Sequence, residues 1–258
     1  MNMNKKMMMD IVKKQLALDM NCLVSDFDGD ETRYCEARLN EGRRLFDRQE
    51  PFLEVVTMGK SVVVSADKAI IDYIKPALQS KSRDDIFNAP FLYGQSIYYI
   101  PDPKKLKRYK SHRKFDFIEK RNAEIHELYK LSGFENALMY NPNHPRPDVI
   151  ALCALHNDVI VAIAGASADS EAMWQIGIDV LPKYRNLGLA TALVSDLAIK
   201  IIEEGRVPYY GTASSNIASQ AVAFKSGFIP TWMCSYKNVF DGTTPYEGEY
   251  QKHVIINK

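Results

Sequence analysis

Two spacings of apolar side chains alternate through the first hundred residues and predict a mixture of helices and strands. Residues 8–22 have an apolar side chain every three or four positions, the spacing of a helix that buries one face. Two β-branched runs, 53–57 and 61–65, flank the turn Met58-Gly59-Lys60 and predict a hairpin. The elements predicted for this half are helices over 8–22, 31–47 and 67–78, the hairpin, and a strand over 96–100.

The second half has a clearer pattern, in which a group of strands precedes alternating helices and strands. The apolar runs 149–155 and 159–166 lie on either side of a polar turn and predict a second hairpin. Residues 189–202 carry one apolar stripe and predict an amphipathic helix that ends before Gly205. The other predicted elements are a helix over 117–131, strands over 173–180, 207–211 and 231–239, and a helix over 217–225 capped by Asn216.

Composition narrows the class of protein without indicating a reaction. The chain has 258 residues, 46% of them hydrophobic, and a formal charge of +1, which are values typical of a globular protein without a nucleic-acid or membrane surface. The four cysteines and five histidines show no metal-site spacing. The N-terminal apolar run is too short for a signal peptide, and no run approaches the ~18 residues of a membrane span. We therefore expect a cytoplasmic protein without a metal.

A basic, proline-containing stretch separates the two halves. Residues 101–114 read PDPKKLKRYKSHRK, which is typical of a solvated linker. We therefore predict an N-terminal α+β lobe with its linker over 1–112 and a second domain over 113–258. The alternative is a nucleic-acid patch, but no RNA- or DNA-binding motif accompanies the basic residues.

The turn between the strand at 173–180 and the helix at 189–202 carries the candidate chemistry. Its sequence, Arg185-Asn186-Leu187-Gly188-Leu189-Ala190, places a cation and a glycine before the helix. A helix N-terminus presents free N–H groups and a positive dipole end, so it favours an anion such as phosphate. The spacing fits neither a Walker loop nor a dinucleotide fingerprint. On this pattern alone, a plain connection with a surface arginine is equally compatible.

Two motifs in the second half together resemble the GNAT superfamily of acyl-CoA-dependent N-acetyltransferases. The turn at 185–190 matches the family's [QR]-x-x-G-x-[GA] motif. Farther on, 216–219 and 223–228 resemble the family's N-x-x-[SA] and K-x-G-F segments, in the right order. The resemblance covers about 115–240. It implies an α/β fold of the α+β type, with a mixed, mostly antiparallel sheet flanked by helices, to which the N-terminal lobe is additional.

The resemblance also implies how CoA would bind, as a co-substrate. The backbone of the strand before the motif would pair with pantetheine, N–H groups of the turn would hold the pyrophosphate, and the second segment would line the far wall. Lys225 would meet a nucleotide phosphate. The residues that this assigns to CoA are Ile178, Asp179, Val180, Arg185, Asn186, Leu187, Gly188, Leu189, Ala190, Thr191, Asn216, Ser219, Phe224 and Lys225.

The acid and base for acetyl transfer are less clearly indicated. Many family members have a glutamate near the position of Gln175, which cannot act as a base but can orient a water or polarise a carbonyl. Asp179 lies on the same strand face as Gln175 and is the first candidate for the base. The family's usual tyrosine acid is replaced by Ala223, so Tyr236 on the following strand is the candidate acid.

These observations predict an enzyme that transfers an acetyl group from acetyl-CoA to a primary amine. No cysteine is positioned as an acyl carrier, which favours direct attack in a ternary complex. We expect a small-molecule acceptor rather than a protein, no nucleic-acid or membrane partner, and a possible homodimer. The alternative is a non-catalytic acyl-CoA-binding sensor or interaction module, which the residues at Gln175 and Ala223 would favour.

Overall fold

The computed structural model describes residues 3–46, 52–109 and 111–238. Its α-helices are α1 (Lys5–Met20), α2 (Lys68–Leu78), α3 (Arg83–Phe87), α4 (Leu189–Glu203) and α5 (Ile217–Lys225). Its strands are β1 (Thr32–Glu36), β2 (Leu53–Thr57), β3 (Val62–Ala66), β4 (Leu92–Pro101), β5 (Ser111–His112), β6 (Phe115–Arg121), β7 (Asp148–His156), β8 (Val159–Ala168), β9 (Met173–Val180), β10 (Val207–Ala213) and β11 (Phe228–Asn238). No helix within the described ranges is long and apolar enough to cross a lipid bilayer.

Most predicted elements are confirmed, and the hairpin at β7 and β8 shows why. Its two turn residues, Asn157 and Asp158, have φ values of 51° and 63°, which are the left-handed angles that a tight two-residue hairpin turn requires. Asn216 also caps α5 as predicted, since its side chain accepts from the Ser219 N–H at 3.0 Å. Asp67 precedes α2 without capping it; its carboxylate accepts from the Phe52 N–H instead.

One predicted helix is wrong over its described residues, and a second is wrong over its first part. The stretch predicted as a helix over 31–47 forms β1 and then irregular structure up to residue 46, and residue 47 lies outside the described residues. Its apolar positions cannot support a buried face, because Leu39 is 74% exposed. The stretch predicted as a helix over 117–131 begins as strand β6, which pairs with β7, and continues as the 3₁₀ helix Asn122–Lys130.

The chain forms two compact units, and each is discontinuous in sequence. The first contains the described residues up to Val12 and residues 98–230. The second contains residues 13–97 and the described residues from Thr231 onwards. The division into a lobe over 1–112 and a domain over 113–258 stays a prediction.

The first unit contains the sheet that carries the candidate site. Its strands follow the order β5-β6-β7-β8-β9-β10, with every neighbouring pair antiparallel except β9 and β10, which are parallel. Helix α4 packs on this sheet with Leu193, Leu197 and Ile201 fully buried. The fold is therefore the mixed, mostly antiparallel sheet flanked by helices that the sequence predicted.

The second unit has four neighbouring strands and its own core. Its strands follow the order β1-β3-β2-β11, in which β1 and β3 are parallel and the other pairs antiparallel. Helix α2 buries Ile70, Ile74 and Leu78 in a core shared with β2 and β3. Cys22 and Cys35 are half-buried in this unit.

Candidate active site

A groove opens where β9 and β10 separate. The two strands are paired from Met173 and Val207 up to Ile176 and Tyr210, and no pairing between them follows in the described residues. Beyond that point β9 still pairs with β8 through Val180, so one edge of its backbone is left facing the gap. The groove has a volume of about 1120 Å³. Backbone amides of β9 are therefore available to an extended ligand, as they would be to an added strand.

The turn after β9 closes one end of the groove. Asn186 and Gly188 have φ values of 61° and 86°, and α4 starts at Leu189. Left-handed residues ahead of a helix turn successive N–H groups toward one point, which makes an anion-binding concavity at the positive end of the dipole. A Cβ at position 188 would lie 2.9 Å from the Nε2 atom of His112, so glycine is needed for space as well as for its φ.

Three cationic side chains line the same groove, and one of them comes from the basic segment. Arg185, predicted from the motif, donates from Nε to the Val180 carbonyl at 3.0 Å, and Lys225 lies at the end of α5. Arg113 is the third. No motif pointed to it, because 101–114 was predicted to be a solvated linker.

The basic segment is packed on α4 rather than free. The Lys107 N–H donates to Ser195 Oγ at 2.8 Å, and Arg108 forms an ion pair with Glu203. The His112 ring nitrogen Nε2 lies 2.9 Å from the Leu187 carbonyl oxygen, at the anion-binding turn. These contacts correct the expectation of a solvated connector and explain how Arg113 reaches the groove.

The point where β9 and β10 separate is lined by hydrogen-bonding side chains. The Tyr209 hydroxyl donates to Asp169, and its oxygen lies 3.2 Å from Gln175 Oε1. The Gln175 Nε2 group, which makes no hydrogen bond within the described residues, lies 3.5 Å from where a Cβ of Gly211 would be. The Tyr210 hydroxyl bonds with Ser219 Oγ at 2.7 Å, and burial raises the pKa of Tyr210. The site thus presents an amide donor and a protonated phenol.

A family model described as GNAT acetyltransferase matches residues 43–233 of this sequence, most of its length. The chain belongs to the GNAT acetyltransferase family. The two strands that separate, the anion-binding turn and α4 all lie within the matched residues, and the chain is classed with the acyltransferases.

Several solved structures are similar to this GNAT chain. An acetyltransferase of the GNAT family from Colwellia psychrerythraea is 14% identical, with a TM-score of 0.43 and coverage of 58% of each chain. A GCN5-related N-acetyltransferase-like protein from Streptococcus suis is 19% identical, with a TM-score of 0.41, covering 69% of this chain and 72% of that one. An aminoglycoside N-acetyltransferase in complex with CoA is 23% identical, with a TM-score of 0.35, covering 49% and 93%. No curated protein matches.

Asp179, the predicted base of this GNAT protein, lines the groove but is heavily hydrogen-bonded. Its Oδ2 accepts from the Asn136 N–H at 2.7 Å and the Ala137 N–H at 3.0 Å, and its Oδ1 accepts from Asn136 Nδ2 at 2.7 Å. The carboxylate therefore ties the segment 134–140 to β9. Its role as base stays a prediction.

Two facing glycines let that segment lie directly on the sheet. Gly165 in β8 and Gly177 in β9 are cross-strand partners. A Cβ on Gly165 would lie 1.9 Å from the Ala137 carbonyl oxygen, and one on Gly177 would lie 1.8 Å from that of Asn136. Only glycine fits at either position, and the backbone of 136–137 packs directly against β8 and β9.

Most predicted site residues meet in the groove. Those that line it are Gln175, Ile178, Asp179, Val180, Arg185, Asn186, Gly188, Leu189, Ala190, Thr191, Asn216, Ser219 and Lys225. Leu187 and Phe224 belong to the same unit but are not among the lining residues; Phe224 is 53% exposed and contacts Tyr99 edge-on. Tyr236, the candidate acid, is an exposed residue of the second unit. The motifs missed Arg113, Asn136 and Tyr210, which also line the groove.

Proposed function

We propose that this GNAT protein transfers an acetyl group from acetyl-CoA to a primary amine, by direct attack within a ternary complex. The observation that carries the proposal is the groove between β9 and β10, which joins free strand backbone to an anion-binding turn. A pantetheine chain can pair with the free strand backbone, and a pyrophosphate can bind at the turn.

The residues of the groove fit acetyl-CoA. Its volume of about 1120 Å³ is above the ~300–1,000 Å³ of most small-molecule sites, as a long ligand requires. The backbone of Ile178–Val180 would pair with pantetheine, and the N–H groups at 186–191 would hold the pyrophosphate. Arg113, Arg185 and Lys225 supply positive charge for the phosphates. Asn216 and Ser219 line the opposite wall.

The chemistry would occur where the strands separate. Bound acetyl-CoA supplies a thioester carbonyl as the electrophile. The Nε2 group of Gln175 is a donor in position to polarise a carbonyl oxygen there. Tyr210 keeps its proton at neutral pH because burial raises its pKa, so the phenol can donate a hydrogen bond inside the groove. No cysteine is among the groove-lining residues, which favours direct attack over an acyl-enzyme.

Calorimetry with acetyl-CoA followed by a free-thiol assay over a panel of amines tests the proposal. We expect saturable binding of acetyl-CoA and release of CoA thiol that depends on a primary amine. Initial rates at varied concentrations of both substrates should give intersecting double-reciprocal lines, because both must be bound before transfer. Parallel lines would contradict the direct mechanism. Tight binding without amine-dependent release would support the sensor alternative instead.

We also propose where the reaction takes place and with which partners. The composition favours a cytoplasmic protein with a small-molecule acceptor, without nucleic-acid or membrane partners, and a homodimer is compatible with it. Tyr236 and Asp179 remain the proposed acid and base.

A further inference from the structure

A small cavity lies beside the groove, on the side of the 134–140 segment. Its volume is about 80 Å³, and Asn136, Gln175 and Gly177 line both the cavity and the groove. The lining residues also include Ala137, Met139, Asp148, Gly165 and Ser167. A group held in the cavity would therefore be adjacent to the point where β9 and β10 separate.

Asp148 is the charged residue of this cavity that lies deepest in the fold. It is only 7% exposed, and both of its hydrogen bonds use one oxygen: Oδ2 accepts from the Tyr129 hydroxyl at 2.7 Å and from the Met139 N–H at 2.8 Å. Within the described residues Oδ1 has no hydrogen-bond donor. This oxygen is not fully buried, and Asp148 lines the cavity, so a donor on a ligand or a water can reach it there.

Two backbone carbonyls add to the unmatched acceptors. The carbonyl oxygens of Asn136 and Ala137 lie over Gly177 and Gly165, and all four residues line the cavity. Neither oxygen accepts a hydrogen bond within the described residues. The Ser167 hydroxyl cannot serve them, because it donates to Asp169 at 2.7 Å. The cavity is thus lined by two carboxylates, Asp148 and Glu135, and by backbone carbonyls that accept no hydrogen bond.

An ammonium group is the complement of such a cavity. It carries three N–H donors, no acceptor and a positive charge, whereas a hydroxyl or an amide would bring an acceptor as well. The size restricts what is attached to it. A cavity of ~150 Å³ holds a benzene ring, so this one has room for an amino group and its first methylene but not for a branched α-carbon.

We propose that the small cavity binds the ammonium group of an acceptor whose amine ends an unbranched methylene chain, with Asp148 Oδ1 as its anionic partner. This names the acceptor class and rests on the proposed function. The amine enters beside Gln175 and Gly177, which line both the cavity and the groove.

Asp148 also has a structural contact, and the test variant must preserve it. Asp148→Asn does so when its remaining carbonyl oxygen takes the place of Oδ2, where it accepts from Tyr129 and Met139. The amide group then replaces Oδ1 and offers a donor where the ammonium needs an acceptor. Asp158→Asn is the matched control, since Asp158 is exposed at the turn at the other end of β7.

Binding is measured without acetyl-CoA, by ligand-observed NMR titration at pH 7 with n-butylamine, tert-butylamine and n-butanol. We expect the native protein and Asp158→Asn to bind n-butylamine at least tenfold more tightly than the other two probes. Asp148→Asn should bind n-butylamine at least tenfold more weakly, while its thermal midpoint and its acetyl-CoA affinity stay close to native.

Two results would overturn the inference: equal binding of n-butylamine by Asp148→Asn and the native protein, or equal binding of n-butylamine and tert-butylamine. Absence of n-butylamine binding to the native protein would overturn it as well. Because the titration contains no acetyl-CoA, selective n-butylamine binding can be observed even if the thiol assay shows no transfer. Failure of the inference and failure of the proposed function are therefore distinguishable.

Discussion

Gly188 shows at the scale of one residue how sterics and chemistry coincide in this site. Its φ of 86° belongs to the left-handed region, and a Cβ there would lie 2.9 Å from His112 Nε2. The same missing Cβ keeps the N–H groups of the turn open to a phosphate. A side chain at this position would therefore disturb the backbone, the imidazole and the anion site together.

We predict that Gly188→Ala weakens acetyl-CoA binding at least tenfold and lowers the free energy of unfolding by about 1 kcal/mol, because alanine is strained at positive φ. Gly205→Ala is the matched control. Its φ is 75°, but a Cβ there would meet nothing within 4 Å, and it follows α4 instead of preceding it. Calorimetry and denaturant unfolding of both variants separate the effects. Equal acetyl-CoA affinities in the two variants would contradict this account of Gly188.

At the scale of an element, the contacts of the basic segment 101–114 show that it packs on α4 and is not a solvated linker. Its backbone and one arginine are held by Ser195 and Glu203 on α4, and its end places Arg113 at the groove. An arginine there can make charge-assisted bonds with a phosphate of a bound nucleotide. We predict that Arg113 contacts the 3′-phosphate at the nucleotide end of CoA.

That assignment predicts a selective loss. Arg113→Gln should bind CoA about tenfold more weakly, with little change for 3′-dephospho-CoA, because only the first ligand carries the phosphate. Arg38→Gln, which removes an exposed arginine of the second unit, should bind both ligands like the native protein. Calorimetry at fixed ionic strength gives the four affinities. An equal loss for both ligands would show that Arg113 acts elsewhere on the nucleotide or through the fold.

At the scale of the whole molecule, the compact units do not follow the order of the sequence. The first unit includes residues 3–12 and 98–112 as well as the segment that carries the GNAT motifs. Met8, Val12, Tyr99 and Ile100 in these two stretches are all buried. The boundary predicted at 112 and 113 would therefore cut through this unit.

We predict that a fragment of residues 113–258 does not fold cooperatively. The four buried side chains that it lacks are each worth ~1.5–3 kcal/mol of burial, a sum comparable to the ~5–15 kcal/mol that stabilises a whole domain. Circular dichroism during thermal unfolding, with the full chain as reference, is the measurement. A sharp transition in the fragment that matches the full chain would contradict this expectation.

The same scale explains what the sequence could predict. Strands β7 to β10 and helices α4 and α5 carry strong periodicity or caps, and the motif residues of the turn do line one groove. The helices predicted over 31–47 and 117–131 failed because apolar residues at helical spacing do not reveal a strand whose pairing partners lie elsewhere in the chain. Arg113 and Asp148 carry no local signal, since each becomes part of a site only through contacts made far along the chain.

Substitutions at the facing pair Gly165 and Gly177 would change which acceptor molecules fit the small cavity. Because both glycines lack a Cβ, the 136–137 backbone lies close to the sheet. This distance sets the height of the small cavity. A single added methyl at either position would push the 136–137 backbone away from the sheet. New acceptors could thus be admitted, in evolution or by engineering, through substitutions that leave Asp148, Gln175 and every phosphate-binding residue unchanged.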